Sequence, residues 1–443
     1  MSLTSRRRPL ARLAAGLTLA VSAVALPAAP ALAADAVPGQ VVVAYDHGTR
    51  SAHAARAAAP EPEVLHVHDV PRALRRLRAR PDVRYAVRNV VAHAADAFVP
   101  DDPGTSTTPG GWQEAQWNFE GPASVQAPTA WGNLIAAGHP GGRGVRVAVL
   151  DTGIAYRRFG HLRPSPDLAG THFVRGYDFV GHDPYANDRN GHGTHVASTI
   201  AEATNNGVGL TGLAYGASIM PVKVLNDHGE GDAAKIARGV RFAARHHAQV
   251  INLSLEFSAD VRSRDIPQLM DAISYAHRRG AVVVAASGNE AAGTIAYPAR
   301  ADAVISVGST TEHGCLSDFS NQGSGLDLVA PGGGLDAYLT DPGCQPDGPA
   351  GRNIFQLTLV GRHRTRYGVA QDYQGTSMAV PHVSATAALV IASGILGERP
   401  SPTAVERRLE TTARDLGPAG YDTRYGWGLV DAGAATDPAV PVS

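Results

Sequence analysis

The chain has 443 residues, 44% hydrophobic and 18% charged, with a formal net charge of −1. That length calls for two or three folding units, or one large unit with appendages, and the balance excludes a disordered chain. Near-neutrality gives no electrostatic reason to bind nucleic acid or an acidic membrane surface.

Residues 1–34 read as a signal peptide. Arg6, Arg7, Arg8 and Arg12 form a positive start, residues 13–26 a short apolar run, and Ala31-Leu32-Ala33 a small-residue cleavage site. The run is too short to span a bilayer comfortably. No later stretch reads as long and apolar enough to anchor the chain, so the expectation is export with no membrane anchor after signal removal. Ser5-Arg6-Arg7 leaves twin-arginine export open.

Residues 35–96 read as a small α+β unit. Val41–Ala44 is a strand, residues 71–80 a helix with Leu74 and Leu77 on one side, and Tyr85–Val87 with Val90-Val91 a second strand region. Residues 100–111, PDDPGTSTTPGG, read as a linker or loop.

From about residue 110 strands and helices alternate. Val145–Leu150, Ser218–Leu225, Val250–Leu255, Ala281–Ala286 and Ala303–Val307 are apolar strands. A helix runs from Asp232 with Ile236 and Val240 one turn apart. Another carries Ile266, Leu269, Met270 and Ile273 and closes at Gly280. This order predicts an α/β fold: a parallel sheet flanked by helices on both faces.

Lysine occurs only at Lys223 and Lys235. With Ala, Gly and Pro also abundant, composition bias explains the arginine excess better than resistance to lysine-directed cleavage does. The two cysteines, Cys315 and Cys344, fit neither a metal knuckle nor a redox pair. In an exported chain they would form one disulfide, contributing roughly 3–4 kcal/mol in the chain-entropy model. Two separate buried thiols are the alternative.

Ligands of open parallel sheets bind beyond the carboxyl ends of the strands. Asp151, Ser254 and Asn289 stand at such ends. Asp151-Thr152-Gly153 matches half an aspartic-protease site, but that mechanism needs two carboxylates sharing a proton, and Asp422-Thr423 is followed by Arg424. In Asn190-Gly191-His192-Gly193-Thr194-His195 no acid stands between the histidines, as a zinc site of the HExxH kind requires. His192 instead starts a helix with its ring exposed, and His195 reads as a structural histidine. Ser377, in Gly375-Thr376-Ser377-Met378-Ala379, sits at the N-terminus of a long apolar helix, where amide groups favour negative charge. Pro381 is tolerable there if it falls in the first turn. The segment is not the G-x-S-x-G elbow of another hydrolase class.

Together VAVLDTGI, NGHGTHVAS and GTSMAVPHVS resemble the three signature segments of the subtilisin-like serine proteases, or subtilases, and the likeness runs over about residues 115–436. The resemblance implies a serine endopeptidase with Asp151 orienting His192, His192 as general base and Ser377 as nucleophile. It assigns Asn289 as oxyanion donor, supported by Thr376. Ser254, Leu255 and Glu256 would pair with an extended substrate. Ala286, Ser287 and Gly288 would wall the pocket for the residue on the acyl side of the scissile bond. Ala296, where the family often has glycine, would narrow that pocket. Where the family usually has glycine, Glu256 stands; it faces either the substrate or water, and the outward direction is the safer expectation.

The resemblance also implies a zymogen. Residues 35–96 would be an inhibitory prodomain cut around residues 92–98, residues 97–120 the mature N-terminal segment, and residues 121–436 the catalytic domain. Partners would be protein or peptide substrates and the chain's own prodomain, with a secreted, extracellular, monomeric product. The loop Thr204–Leu210, with Asn206, Asp167 and Asp102, matches a structural calcium (Ca2+) site of the family, with three ordinary turn residues as the alternative. Residues 333–372 form an insertion with no assigned role.

Overall fold

The computed structural model describes residues 36–45, 62–90, 98–158, 160, 162–346, 349–361 and 366–442. The predicted signal peptide and all but the last residue of the expected processing region lie outside them. The chain divides into two compact units, Met1–Ala94 and Ala95–Ser443.

The first unit is an antiparallel three-stranded sheet in the order Glu63–His66, Ala36–Tyr45, Val83–Val90, with one helix, Val70–Arg78. Asp69 caps the helix by accepting the Arg72 N–H at 2.9 Å. Leu74 and Leu77 reach Val41, Val43 and Ala86 to form the core. The Glu63–His66 strand escapes the sequence reading because it is an exposed edge: only Leu65 is even half-buried, so no alternation marks it.

The second unit is built on a ten-stranded, mostly parallel sheet. Its central order is Ile305–Thr310, Val282–Ala286, Val250–Leu253, Arg146–Asp151, Ser218–Lys223. The first of these in the chain, Arg146–Asp151, has its successor on one side and the strand after that on the other. The order in which successive strands are added thus reverses there, which opens a crevice at the carboxyl end of this strand, beside Asp151. Alternate residues feed two cores. Val147 and Val149 pack with Val196, Ile200, Val380 and Val383 of the helices His192–Ala201 and Thr376–Ser393. Ala148 and Leu150 pack on the opposite face with Ile236, Val240, Leu269 and Ile273 of the helices Ala233–Arg245 and Pro267–Arg278. Burial on both faces is why these strands read as continuous apolar runs.

Four expectations are corrected. The Val250 strand ends at Leu253, so Ser254–Phe257 continues without a partner strand among the described residues. Residues 100–111 are no free linker. They hold the hairpin Gly104–Thr105 and Thr108–Pro109, and Asp102 is 2% exposed. The helix Thr376–Ser393 is long and apolar enough to cross a membrane by length and composition, but it is mostly buried as the central core helix. Finally, Pro381 lies inside that helix rather than in its first turn.

The insertion forms a hairpin, Gln356–Val360 against Arg366–Ala370. It backs the His192 helix: the Ser198 hydroxyl donates to Leu357 O at 3.2 Å, and Thr358 Oγ1 donates to Gly191 O at 2.5 Å. Cys315 and Cys344 are disulfide-bonded.

Candidate active site

Asp151 ends its strand completely buried, and the His192 ring meets it there, Nδ1 donating to Asp151 Oδ1 at 2.7 Å. Asp151 Oδ1 also accepts the Thr152 N–H at 2.7 Å. The contact demands a glycine at 193, since a Cβ there would lie 3.0 Å from the Asp151 carboxylate and 2.2 Å from Gly153 O. Burial alone would lower the His192 pKa, but the Asp151 charge and hydrogen bond outweigh it and raise it. With Nδ1 held, the other ring nitrogen is the one available for proton transfer.

The start of the His192 helix is organised by a residue the sequence reading missed. Asp188, 1% exposed, accepts N–H groups of Asn190, Gly191 and Thr194 and the hydroxyls of Thr152 and Thr194. Burial raises its pKa, and these donors work against that. Lys223, which composition alone dismissed, is also buried and donates to Thr152 O at 2.5 Å and to Asp227 at 3.0 Å. It thereby ties down the loop after Asp151. His195 is structural: it stacks on Tyr373 with centroids 4.3 Å apart, Nε2 meets Ile354 O at 3.0 Å, and burial pushes its pKa down to about 3.

Ser377 is half-buried at the second position of its helix. Pro381 cannot donate to the carbonyl four residues back, which is that of Ser377. The Ser254 hydroxyl supplies the missing donor at 2.8 Å, and Ser377 Oγ donates to Ser254 O at 3.3 Å. The proline thus forces a side chain from the Ser254 segment onto the Ser377 backbone. Asn289 stands alongside, its Oδ1 accepting the Thr376 N–H at 2.8 Å and the Thr376 hydroxyl at 3.1 Å. These bonds aim its Nδ2 away from the helix.

Glu256 turns inward, against the expectation that it faces water. Its Oε1 accepts Asn289 Nδ2 at 3.0 Å, while Oε2 is buried with no hydrogen-bond partner among the described residues. Gly288 makes room for it, since a Cβ at 288 would sit 2.6 Å from Oε2. Burial raises the Glu256 pKa. A cleft of about 540 Å³ is lined by His192, Ser377, Ser254, Leu255 and Glu256 from the predicted site. Ala286, Ser287, Gly288 and Ala296 are buried, and the Ala296 N–H donates to Ser287 O at 2.8 Å.

Asp102, Asp167 and Asn206 come together elsewhere. Asp102 accepts the N–H groups of Asn205 and Asn206, each at 3.1 Å. Asp167 accepts Asn206 Nδ2 at 2.9 Å and the Leu210 N–H at 2.8 Å. Burial pushes the Asp167 pKa up to about 6. Glu202, not anticipated, lies fully buried beside Asp167; burial first, then the Asp167 charge, pushes its pKa well up.

The chain matches the model of the subtilase family over residues 142–428. It is 38% identical to subtilisin Savinase of Lederbergia lenta over 326 residues, covering 73% of this chain and 99% of that protein. It is 36% identical to thermitase of Thermoactinomyces vulgaris over 312 residues, covering 70% and 93%. A protease from Pseudoalteromonas arctica superposes with a TM-score of 0.60 at 31% identity, covering 76% of this chain and 99% of that structure.

Proposed function

Since the chain belongs to the subtilase family of serine endopeptidases, we propose that it cleaves peptide bonds through an acyl-enzyme on Ser377. The observation that carries this is the Asp151–His192 pair, 2.7 Å apart, with Asp151 buried and His192 opening onto the cleft that Ser377 lines. Ser377 Oγ attacks the carbonyl carbon while His192 Nε2 takes its proton. The protonated ring is stabilised by Asp151 and returns the proton to the leaving amine. Asn289 Nδ2 and the Ser377 N–H receive the oxyanion. Water, activated by the same histidine, releases the acyl group. Labelling by an irreversible aryl phosphonate, followed by peptide mapping, tests this: the label belongs on Ser377, and an unlabelled protein would overturn the reading.

The remaining assignments follow from the same reading. Ser254, Leu255 and Glu256 align substrate, with Ala286, Ser287, Gly288 and Ala296 behind them. The chain is exported by residues 1–34 and matures by removing residues 35–96, its own inhibitor. It then works outside the cell as a monomer on protein or peptide substrates.

A calcium ion suits the loop at Asn206. Asp102, Asp167 and Glu202 are buried acids whose hydrogen-bond partners, where they have any, are neutral; no Lys or Arg pairs with them among the described residues. Two carboxylates and an amide oxygen are hard donors. Asp102, Asp167 and Asn206 would hold the ion, which would neutralise them and brace the loop. A chelator then lowers the unfolding midpoint of the mature protein by mass action, and Asp167→Ala removes that sensitivity. An unchanged midpoint with chelator and with excess calcium would remove the site.

A further inference from the structure

Resting on that reading of the active site, we propose that Glu256 makes this enzyme select a cationic residue, arginine or lysine, on the acyl side of the scissile bond. The position follows from adjacency. Asn289 Oδ1 is held by Thr376, the residue before Ser377, and Asn289 Nδ2 is held by Glu256. A group in contact with the oxyanion donor lies within one side chain's reach of the carbonyl under attack. The substrate residue that reaches it is the one owning that carbonyl.

Direction follows from the contacts. Ser254, which exchanges hydrogen bonds with Ser377, and Glu256 share one side. Leu255 turns the other way.

Charge follows from the partners. One carboxylate oxygen is committed to Asn289, whereas Oε2 is buried with no partner. Such an oxygen is costly until a donor arrives. A guanidinium or ammonium supplies the donor and the opposite charge together. No internal cation competes, since the cleft's ionisable lining is His192, His228, Glu230 and Glu256, with neither Lys nor Arg among the described residues. A cation drawn onto Glu256 also loosens its hold on Asn289 Nδ2, so the preferred substrate frees the amide that must meet the oxyanion.

The test uses peptides identical except for Arg, Lys, Leu or Glu at the acyl-side residue. Wild type, Glu256→Gln and Glu256→Gly are compared by kcat/KM per phosphonate-titrated active site. Wild type should prefer Arg and Lys over Leu by about tenfold, and cleave the Glu peptide slowest. Both variants should bring the Arg-to-Leu ratio close to one. An unchanged ratio overturns the proposal. So does an equal loss on Arg and Leu peptides, because that is what a residue merely positioning Asn289 would produce. Binding of the same peptides to Ser377→Ala reads the preference without turnover. A protein that takes no phosphonate label yet binds Arg over Leu keeps the specificity and loses the proposed chemistry. A labelled protein with no preference does the reverse.

Discussion

The helices that begin at His192 and at Thr376 both start from a glycine with positive φ, Gly191 at 108° and Gly375 at 141°. Yet they treat their first amides in opposite ways. The His192 helix is saturated. His192 N–H donates to Asn190, Gly193 N–H to Thr152 and Thr194 N–H to Asp188, all within 3.1 Å. At the other helix Thr376 N–H goes to Asn289 and Met378 N–H to Gly375 O, but the Ser377 N–H makes no such bond among the described residues. A saturated start holds a side chain in place; an unsaturated one keeps a donor for developing negative charge. On the proposed function, one helix positions the base and the other offers the anion site.

The largest expected effect removes what the unsaturated start serves. Ser377→Ala should lower kcat by about 10⁶, the measured cost at the nucleophile of subtilisin rather than a value obtained from this geometry. In a protease-deficient host the variant should also accumulate as a longer precursor. Normal maturation of that variant would end the idea of self-processing.

Next comes Asn289→Ala, which removes the second proposed oxyanion donor and also takes from the Thr376 N–H its side-chain acceptor. Removing such a donor from subtilisin costs about 10²–10³ in kcat, and a similar loss with little change in KM is expected here. A loss below about tenfold would mean that the Ser377 N–H works without Asn289.

The saturated start answers to stability instead. Asp188→Ala leaves several buried N–H and hydroxyl groups unpaired, which should cost about 3 kcal/mol or more in urea unfolding at unchanged slope. If the variant unfolds like wild type but turns over slowly, the network serves chemistry and the contrast between the two helices is wrong.

The smallest effect lies away from both helix starts. Burial, then the Asp327 charge, pushes Glu406 and Glu410 up to about 7. The fold therefore favours their protonated forms. Their contribution is complete below the ordinary carboxylate pKa and is lost as pH rises through about 7. Glu406→Gln should raise the unfolding midpoint by about 2–4 °C at pH 9 and leave it unchanged at pH 4. Equal shifts at both pH values would show a packing effect rather than a titration.

Much of this was legible in the chain itself. Apolar runs such as Val282–Ala286 mark buried parallel strands because both faces of the sheet are covered, and a single residue type of pattern serves both. The long apolar stretch that follows Ser377 placed that residue at a helix start. Local chemistry of that sort is written in neighbouring residues.

What the sequence left open was decided by contacts across long separations. Asp188, Glu202 and Lys223 read locally as ordinary polar residues, and only the packed sheet turns them into buried acceptors and a buried donor. Pro381 read as a harmless first-turn residue; in the folded protein its missing N–H is answered by Ser254, 123 residues from Ser377. The direction of Glu256 is the sharpest case. Alternation along a strand allows two faces and cannot choose between them. The Asn289 amide, 33 residues away, and the space left by Gly288 choose the inward one. A carboxylate finds its lowest free energy where a donor stands, and donor positions are a property of the assembled fold.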